Sequence, residues 1–183
     1  LSTIIIIKNI SINDFGLFSL IKSVLPIFSM VALLGVDKGY IKVYSHLKPK
    51  DISFYLFLLI LMLSLFIAYI FTSIYNISEY YFIIYFGILF GSLNYFLTSY
   101  FRLKNKYLLA QFILSGHKII FFIIMFLLFY FDYLLNSFNI IIFLCLSYFL
   151  PSLFYFLYYF DVSINRDSSN FFEFTNLFKI GFL

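Results

Sequence analysis

The sequence predicts an all-α, polytopic transmembrane helix bundle. Of its 183 residues, 64% are hydrophobic and only 11% are charged, and the mean hydropathy is +1.04. Soluble domains of this size do not have such a composition. Five long apolar stretches fill most of the chain. Each has the ~20 residues that a helix needs to cross a hydrocarbon layer about 30 Å thick.

The five predicted spans cover approximately residues 15–36, 52–75, 80–101, 107–131 and 137–160. They form one predicted transmembrane lobe within residues 1–160. Residues 161–183 are predicted to be a cytoplasmic linker and the start of a further transmembrane helix, because the chain becomes apolar again near Ile180. Residues 1–7 resemble the end of an apolar segment. We therefore expect a fragment or a truncated product that lacks most of a first helix.

The connections between the spans alternate in charge. Basic residues cluster after the first, third and fifth spans, at Lys38, Lys42, Lys48 and Lys50, at Arg102, Lys104 and Lys106, and at Arg166 and Lys179. The connections around residues 76–79 and 132–136 contain no Lys or Arg. Positively charged loops stay in the cytoplasm, so the basic connections are predicted to face inward. This explanation of the pI of about 9.0 leaves no reason to expect nucleic-acid binding.

Small and helix-breaking residues in the spans predict helices that pack closely against one another. Gly87 and Gly91 in the third span form a G-x-x-x-G pair, which permits close helix approach. Pro26 and Pro151 free backbone carbonyls in the first and fifth spans, where they can kink the helix or form a cavity wall. The third span also contains hydroxyl and amide side chains suited to interhelical hydrogen bonds: Ser92, Asn94, Thr98 and Ser99.

The sequence shows no catalytic or metal-binding constellation, so we expect neither an enzyme nor a bound cofactor or metal. Its acidic residues all lie at span ends or in loops, at Asp14, Asp37, Asp51, Glu79, Asp132, Asp161, Asp167 and Glu173. No carboxylate pair lies inside a span, and no carboxylate stands at metal-ligand spacing from a histidine. The single cysteine, Cys145, excludes an internal disulfide.

The candidate substrate-binding residues are lysine and histidine side chains inside the spans: Lys118, Lys22 and His117. Lys118 and His117 lie close to the predicted midplane, where an ionised group costs about 2.5–3.5 kcal/mol unless it faces water, protein or an anion. Lys118 therefore either lines a hydrated cavity or contacts another helix. Because His117 points about 100° away from Lys118 on a helix, we expect that the two do not face the same spot. Lys22 is alternatively a side chain that extends to the outer surface.

Four short segments, at residues 13–20, 32–39, 100–104 and 177–181, carry a resemblance to a known family. They resemble the polysaccharide-export flippases, which move lipid-linked oligosaccharides for O-antigen or capsule and belong to the same superfamily as the multidrug (MATE) transporters. Residues 13–20 (Asn-Asp-Phe-Gly-Leu-Phe-Ser-Leu) and 32–39 (Ala-Leu-Leu-Gly-Val-Asp-Lys-Gly) resemble the beginning and end of that family's second helix. Lys42 stands where a basic residue is typical. Residues 100–104 resemble the basic turn after the fourth helix, and residues 177–181 resemble the start of the seventh.

This resemblance implies the N-terminal six-helix lobe of a MATE-like transporter, with its first helix mostly missing. It also implies a place in the bacterial cytoplasmic (inner) membrane and, as cargo, a polyprenyl-diphosphate-linked oligosaccharide. Lys118, Lys22 and His117 would then contact the diphosphate, and activity would need the C-terminal lobe or a second copy. Three alternatives remain open: a MATE-type drug/cation antiporter, a polysaccharide polymerase, and a structural membrane protein.

Overall fold

The computed structural model describes residues 3, 4, 6, 10–43, 49–131, 136–158, 176, 180 and 181, and it confirms an all-α bundle. The helices are α1 (Ile12–Val31), α2 (Val36–Val43), α3 (Pro49–Ile74), α4 (Tyr81–Leu103), α5 (Tyr107–Tyr130) and α6 (Ser137–Tyr158). A 3₁₀ turn, Ser78–Tyr80, leads into α4. Every helix except α2 is long and apolar enough to cross a membrane, as the five predicted spans required.

The outer surface of the bundle is apolar. Large hydrophobic side chains are exposed along α3 and α5, among them Met62, Phe66, Tyr69, Ile119 and Phe126. A water-soluble monomer rarely exposes apolar patches of this extent. In a bilayer the same side chains contact lipid tails, so the surface fits a multi-pass membrane protein.

Helix α4 is the centre of the bundle and packs against all five other helices. The predicted glycine pair makes this packing possible. A Cβ atom added at Gly91 would lie 2.2 Å from Ser29 Oγ in α1, and one added at Gly87 would lie 2.8 Å from Cys145 Sγ in α6. Both positions therefore need glycine for α4 to approach its two neighbours this closely.

Polar side chains of α4 connect it to the same two helices. Ser92 Oγ donates a hydrogen bond to the Ser29 carbonyl in α1 at 2.9 Å, and Asn94 Nδ2 donates to the Tyr148 carbonyl in α6 at 2.9 Å. Thr98 Oγ1 donates within its own helix, to the Asn94 carbonyl at 2.8 Å. The prediction of interhelical hydrogen bonds is therefore confirmed for Ser92 and Asn94, whereas the bond of Thr98 is local.

The first predicted span, 15–36, is wrong at both ends. Helix α1 begins earlier, at Ile12, because Ser11 caps it by accepting a hydrogen bond from the Asp14 backbone N–H at 3.1 Å. It ends at Val31, and Leu34 and Gly35 then adopt positive φ values of 46° and 76°. Left-handed residues end a right-handed helix, so the chain turns before it forms α2.

The other predicted boundaries need smaller corrections. Helix α3 begins at Pro49, three residues before the predicted start at 52, because proline is well suited to the first turn of a helix. The third and fourth spans match α4 and α5 within a few residues. Helix α6 ends at Tyr158, close to the predicted end at 160. The predicted linker from residue 161 onward lies outside the described residues, apart from positions 176, 180 and 181.

Candidate functional site

A cavity of about 370 Å³ lies between α1, α5 and α6. Its walls bring together all three candidate residues, Lys22, His117 and Lys118, from two helices that are far apart in sequence. The lining residues are Lys22, Pro26, His117, Lys118, Phe121, Leu144 and Tyr148. That these residues bind substrate stays a prediction, but their convergence on one cavity is an observed property of the fold.

Helix α1 contributes Lys22 and Pro26, which are one helical turn apart and so lie on one face. Because α1 runs from Ile12 to Val31, Lys22 lies at the middle of the helix. The predicted span, 15–36, had placed it closer to the outer end. Its ammonium lies 3.5 Å from Thr3 Oγ1 and 5.5 Å from the centre of the Phe18 ring. Pro26 has no N–H, so the Lys22 carbonyl lacks its usual helical partner and stays available beside the cavity.

Helix α5 contributes His117 and Lys118, which point in different directions from the helix. Both line the cavity. The His117 ring stacks on Tyr148 of α6, with centroids 4.1 Å apart and an angle of 15° between planes. Lys118 lies next to it and is exposed. A separation of about 100° excludes two neighbours from one point, but a cavity several ångströms wide spans that arc.

An aromatic pair closes one end of the cavity. Phe18 of α1 and Phe121 of α5 stack at 5.9 Å with 19° between their planes, and both are buried. Phe18 is one turn before Lys22, and Phe121 is one turn after the His117–Lys118 pair. Because α1 and α5 run in opposite directions, this end is the outer one by the predicted orientation. Elsewhere α1 and α5 do not pack along their length, which leaves the cavity between them.

Helix α6 forms the floor of the cavity through Leu144 and Tyr148. The backbone carbonyl of Tyr148 accepts the hydrogen bond from Asn94 of α4, which fixes the position of Tyr148. Among the described residues, the Asn94 Oδ1 atom is buried without a hydrogen-bond partner. Gly116 of α5 faces Pro151 of α6, and a Cβ added there would meet Pro151 Cγ at an ordinary contact distance of 3.5 Å. The floor is therefore held by polar and close-packed contacts.

The cavity is electropositive. Lys22 and Lys118 line it, and among the described residues none of those lining it is Asp or Glu. Two ammonium groups supply six N–H donors and no acceptor, which suits a phosphate or diphosphate. Over the described part of the chain, no three His, Cys, Asp or Glu side chains converge in a way that could hold a metal ion.

The sequence identified the cations of this site but not its aromatic and aliphatic walls. Pro26 was predicted as a possible cavity wall, and it does line the cavity. Phe121, Leu144 and Tyr148 were not singled out. In a chain with 29 Phe and 17 Tyr, no local signal distinguishes the aromatic residues of a site from those that contact lipid.

A second concave region, of about 330 Å³, lies on another face of α6, against α4. Its walls are entirely apolar: Ile83, Phe86, Phe90, Ile142, Cys145, Leu146 and Phe149. Phe90 packs edge-on against Phe149 at 4.9 Å. Because α6 separates this groove from the cationic cavity, the two do not form one continuous site.

Comparison of the chain with protein-family models, with curated proteins and with solved structures gave no match.

Proposed function

We propose that this chain forms part of a membrane transporter that moves a polyprenyl-diphosphate-linked oligosaccharide across the bilayer. In this proposal the cavity between α1, α5 and α6 holds the diphosphate, and Lys118 and Lys22 are its main contacts. His117 forms part of the wall through its stack on Tyr148. The resemblance of residues 13–20 and 32–39 to polysaccharide-export flippases supports this choice of cargo.

The observation that carries the proposal is the convergence of two mid-helix lysines on one cavity. Lys22 lies at the middle of α1 and Lys118 near the middle of α5. Each ionised lysine at that depth costs about 2.5–3.5 kcal/mol if it faces hydrocarbon. A hydrated cavity removes most of that cost, and an anion bound between the two ammonium groups offsets the rest. The same cations compensate for the desolvation of a diphosphate as it crosses.

The side of the bundle that carries Lys22 on α1 and Lys118 on α5 also indicates that a protein partner covers it. Both lysines are exposed on the bundle surface, beside the apolar side chains that suit contact with lipid. Charged residues inside membranes almost always face a bundle interior or a water-filled cavity. A second lobe, or a second copy of the chain, would cover this face and enclose the cavity. Relative rocking of two such lobes would expose it to each side in turn.

Binding of polyprenyl diphosphate to the purified protein in detergent tests the proposal. We expect saturable binding that weakens with salt and that is lost when Lys22→Gln and Lys118→Gln are combined. Removing two charged contacts should weaken binding at least 100-fold, since each charge-assisted hydrogen bond contributes about 1.5–3 kcal/mol. The combination of Lys104→Gln with Lys106→Gln is the matched control, because it removes two charges from the turn between α4 and α5, outside the cavity. Equal binding by all three proteins would refute the assignment of the cavity.

The alternatives fit the cavity less well. A drug/cation antiporter needs a carboxylate within its cation site, and among the described residues the cavity lining has none. In the binding experiment, competition by an organic cation rather than by diphosphate would favour the antiporter. A polysaccharide polymerase usually carries a large outer loop, whereas the connections at 75–77 and 131–136 are only a few residues long.

A further inference from the structure

The short helix α2 has a basic face that the proposed transport cycle does not use. Lys38 and Lys42 are four residues apart, so they project from the same side of the helix, about 6 Å apart at their Cβ atoms. Both are exposed, and Ile41 between them is 44% exposed. The opposite side, with Val36 and Tyr40, is fully buried.

The buried side of α2 is packed against the last two turns of α4. The Tyr40 ring lies 5.4 Å from the Phe96 ring and 6.2 Å from the Tyr100 ring. Burial, with a smaller contribution from Tyr100, raises the pKa of the Tyr40 hydroxyl, so this residue stays neutral. Helix α2 is therefore held at the end of the bundle where α1 and α4 both terminate, with its lysines directed away from the core.

The ammonium group of Lys42 has N–H donors available for a further ligand. Its ammonium lies 3.5 Å from the Ile180 carbonyl, at the limit of hydrogen bonding. An ammonium group has three N–H donors, so at least two remain for other acceptors. The one acidic residue of α2, Asp37, lies in its first turn, next to Lys38 and five residues before Lys42.

We propose that the Lys38–Ile41–Lys42 face of α2 binds the headgroup of an anionic phospholipid. Two ammonium groups one turn apart can contact the same phosphate diester. Basic residues at the end of a transmembrane helix are attracted to anionic lipid surfaces, with about 1 kcal/mol for each lysine. By the predicted orientation this lipid lies in the cytoplasmic leaflet. The proposal depends on membrane insertion and is independent of the cargo proposed above.

Ile41 is the reason for choosing a phospholipid over a soluble phosphate. An exposed isoleucine between two lysines gains nothing from a small hydrophilic anion. Against a lipid it lies beside the first carbons of an acyl chain while the lysines reach the headgroup, the arrangement of amphipathic helices that lie at membrane interfaces. The contact would fix α2, and through Tyr40 the end of α4, relative to the bilayer surface.

The test compares lipid binding by the purified chain in neutral detergent, measured by native mass spectrometry and by thermal unfolding. Short-chain phosphatidylglycerol should bind and raise the unfolding temperature more than phosphatidylcholine of equal chain length does. Combining Lys38→Gln with Lys42→Gln should weaken phosphatidylglycerol binding by about 30-fold, because each lysine contributes about fivefold. Glycerol 3-phosphate, which has the charge without the acyl chains, should give no stabilisation.

Two controls make the result decisive. The combination Lys104→Gln with Lys106→Gln removes the same charge from the same end of the bundle but leaves α2 intact, so it should retain phosphatidylglycerol binding. Lys38→Arg with Lys42→Arg keeps the charge and should also retain it. Equal losses of phosphatidylglycerol binding in both glutamine variants would show that binding depends only on the net charge of the protein, and would contradict a site on α2. Equal binding of the two lipids, or stabilisation by glycerol 3-phosphate alone, would overturn it as well.

Discussion

Under the proposed function, replacing Lys118 with Ala is expected to abolish display of surface polysaccharide, while the protein stays in the membrane. The side chain lies near the middle of α5 and lines the cationic cavity. Loss of one partner from a desolvated charge contact costs about 2–5 kcal/mol, which corresponds to a loss of more than tenfold in transport. Surface polysaccharide and the amount of protein in the membrane are measured together.

Three variants separate the role of Lys118 from its neighbours. Lys118→Arg keeps the charge and should retain part of the activity. Ile119→Ala changes the next residue, which is 55% exposed and lies on the apolar surface, and should leave transport unchanged. Lys22→Ala should reduce transport as well, because Lys22 faces the same cavity from α1. Normal polysaccharide display in the Lys118→Ala cells would remove this residue from the mechanism.

Replacing Gly91 with Ala is expected to destabilise the bundle by about 1–3 kcal/mol, the usual result of overpacking a helix interface. The new Cβ would lie 2.2 Å from Ser29 Oγ and 3.0 Å from Ser29 Cβ. The serine hydroxyl cannot simply rotate away without loss, because it donates to the Leu25 carbonyl at 2.8 Å. Helices α1 and α4 must therefore separate. Thermal unfolding in detergent, followed by circular dichroism, measures the effect.

Gly16 provides the matched control for Gly91. It lies in α1, and a Cβ added there would meet nothing within 4 Å. Alanine has the higher helix propensity, by about 1 kcal/mol, so Gly16→Ala should unfold at the same temperature as the parent or higher. If Gly91→Ala were as stable as Gly16→Ala, the close approach of α1 and α4 described above would be incorrect.

The number, order and approximate limits of the membrane helices could be predicted because hydropathy and loop charge act locally. A run of apolar residues at 107–131 must cross the bilayer whatever it packs against, and α5 matches it closely. The limits of α1 were harder to predict. Leu34 adopts a left-handed conformation that leucine disfavours by about 1–2 kcal/mol, so the residue type at position 34 does not indicate that the helix ends before it.

The site could be predicted in part, because charge inside an apolar span is conspicuous. Lys22, His117 and Lys118 are recognisable by residue type alone, and all three line one cavity. That they converge depends on how α1, α5 and α6 pack, which the order of spans does not specify. His117 and Lys118 point about 100° apart on α5, and both line the cavity because it is wide enough to span that arc. Tyr148 could not be recognised, because its role comes from its contacts with His117 and Asn94.

The accessibility of position 118 to water distinguishes a hydrated cavity inside a membrane bundle from a lysine that is packed against other helices. In a chain carrying Cys145→Ala, the variants Lys118→Cys and Ile119→Cys are treated in intact membranes with a charged, membrane-impermeant thiol reagent. We predict rapid labelling at position 118 and none at position 119, which lies at the same depth on the apolar surface. Labelling of neither residue, or of both equally, would contradict the cavity.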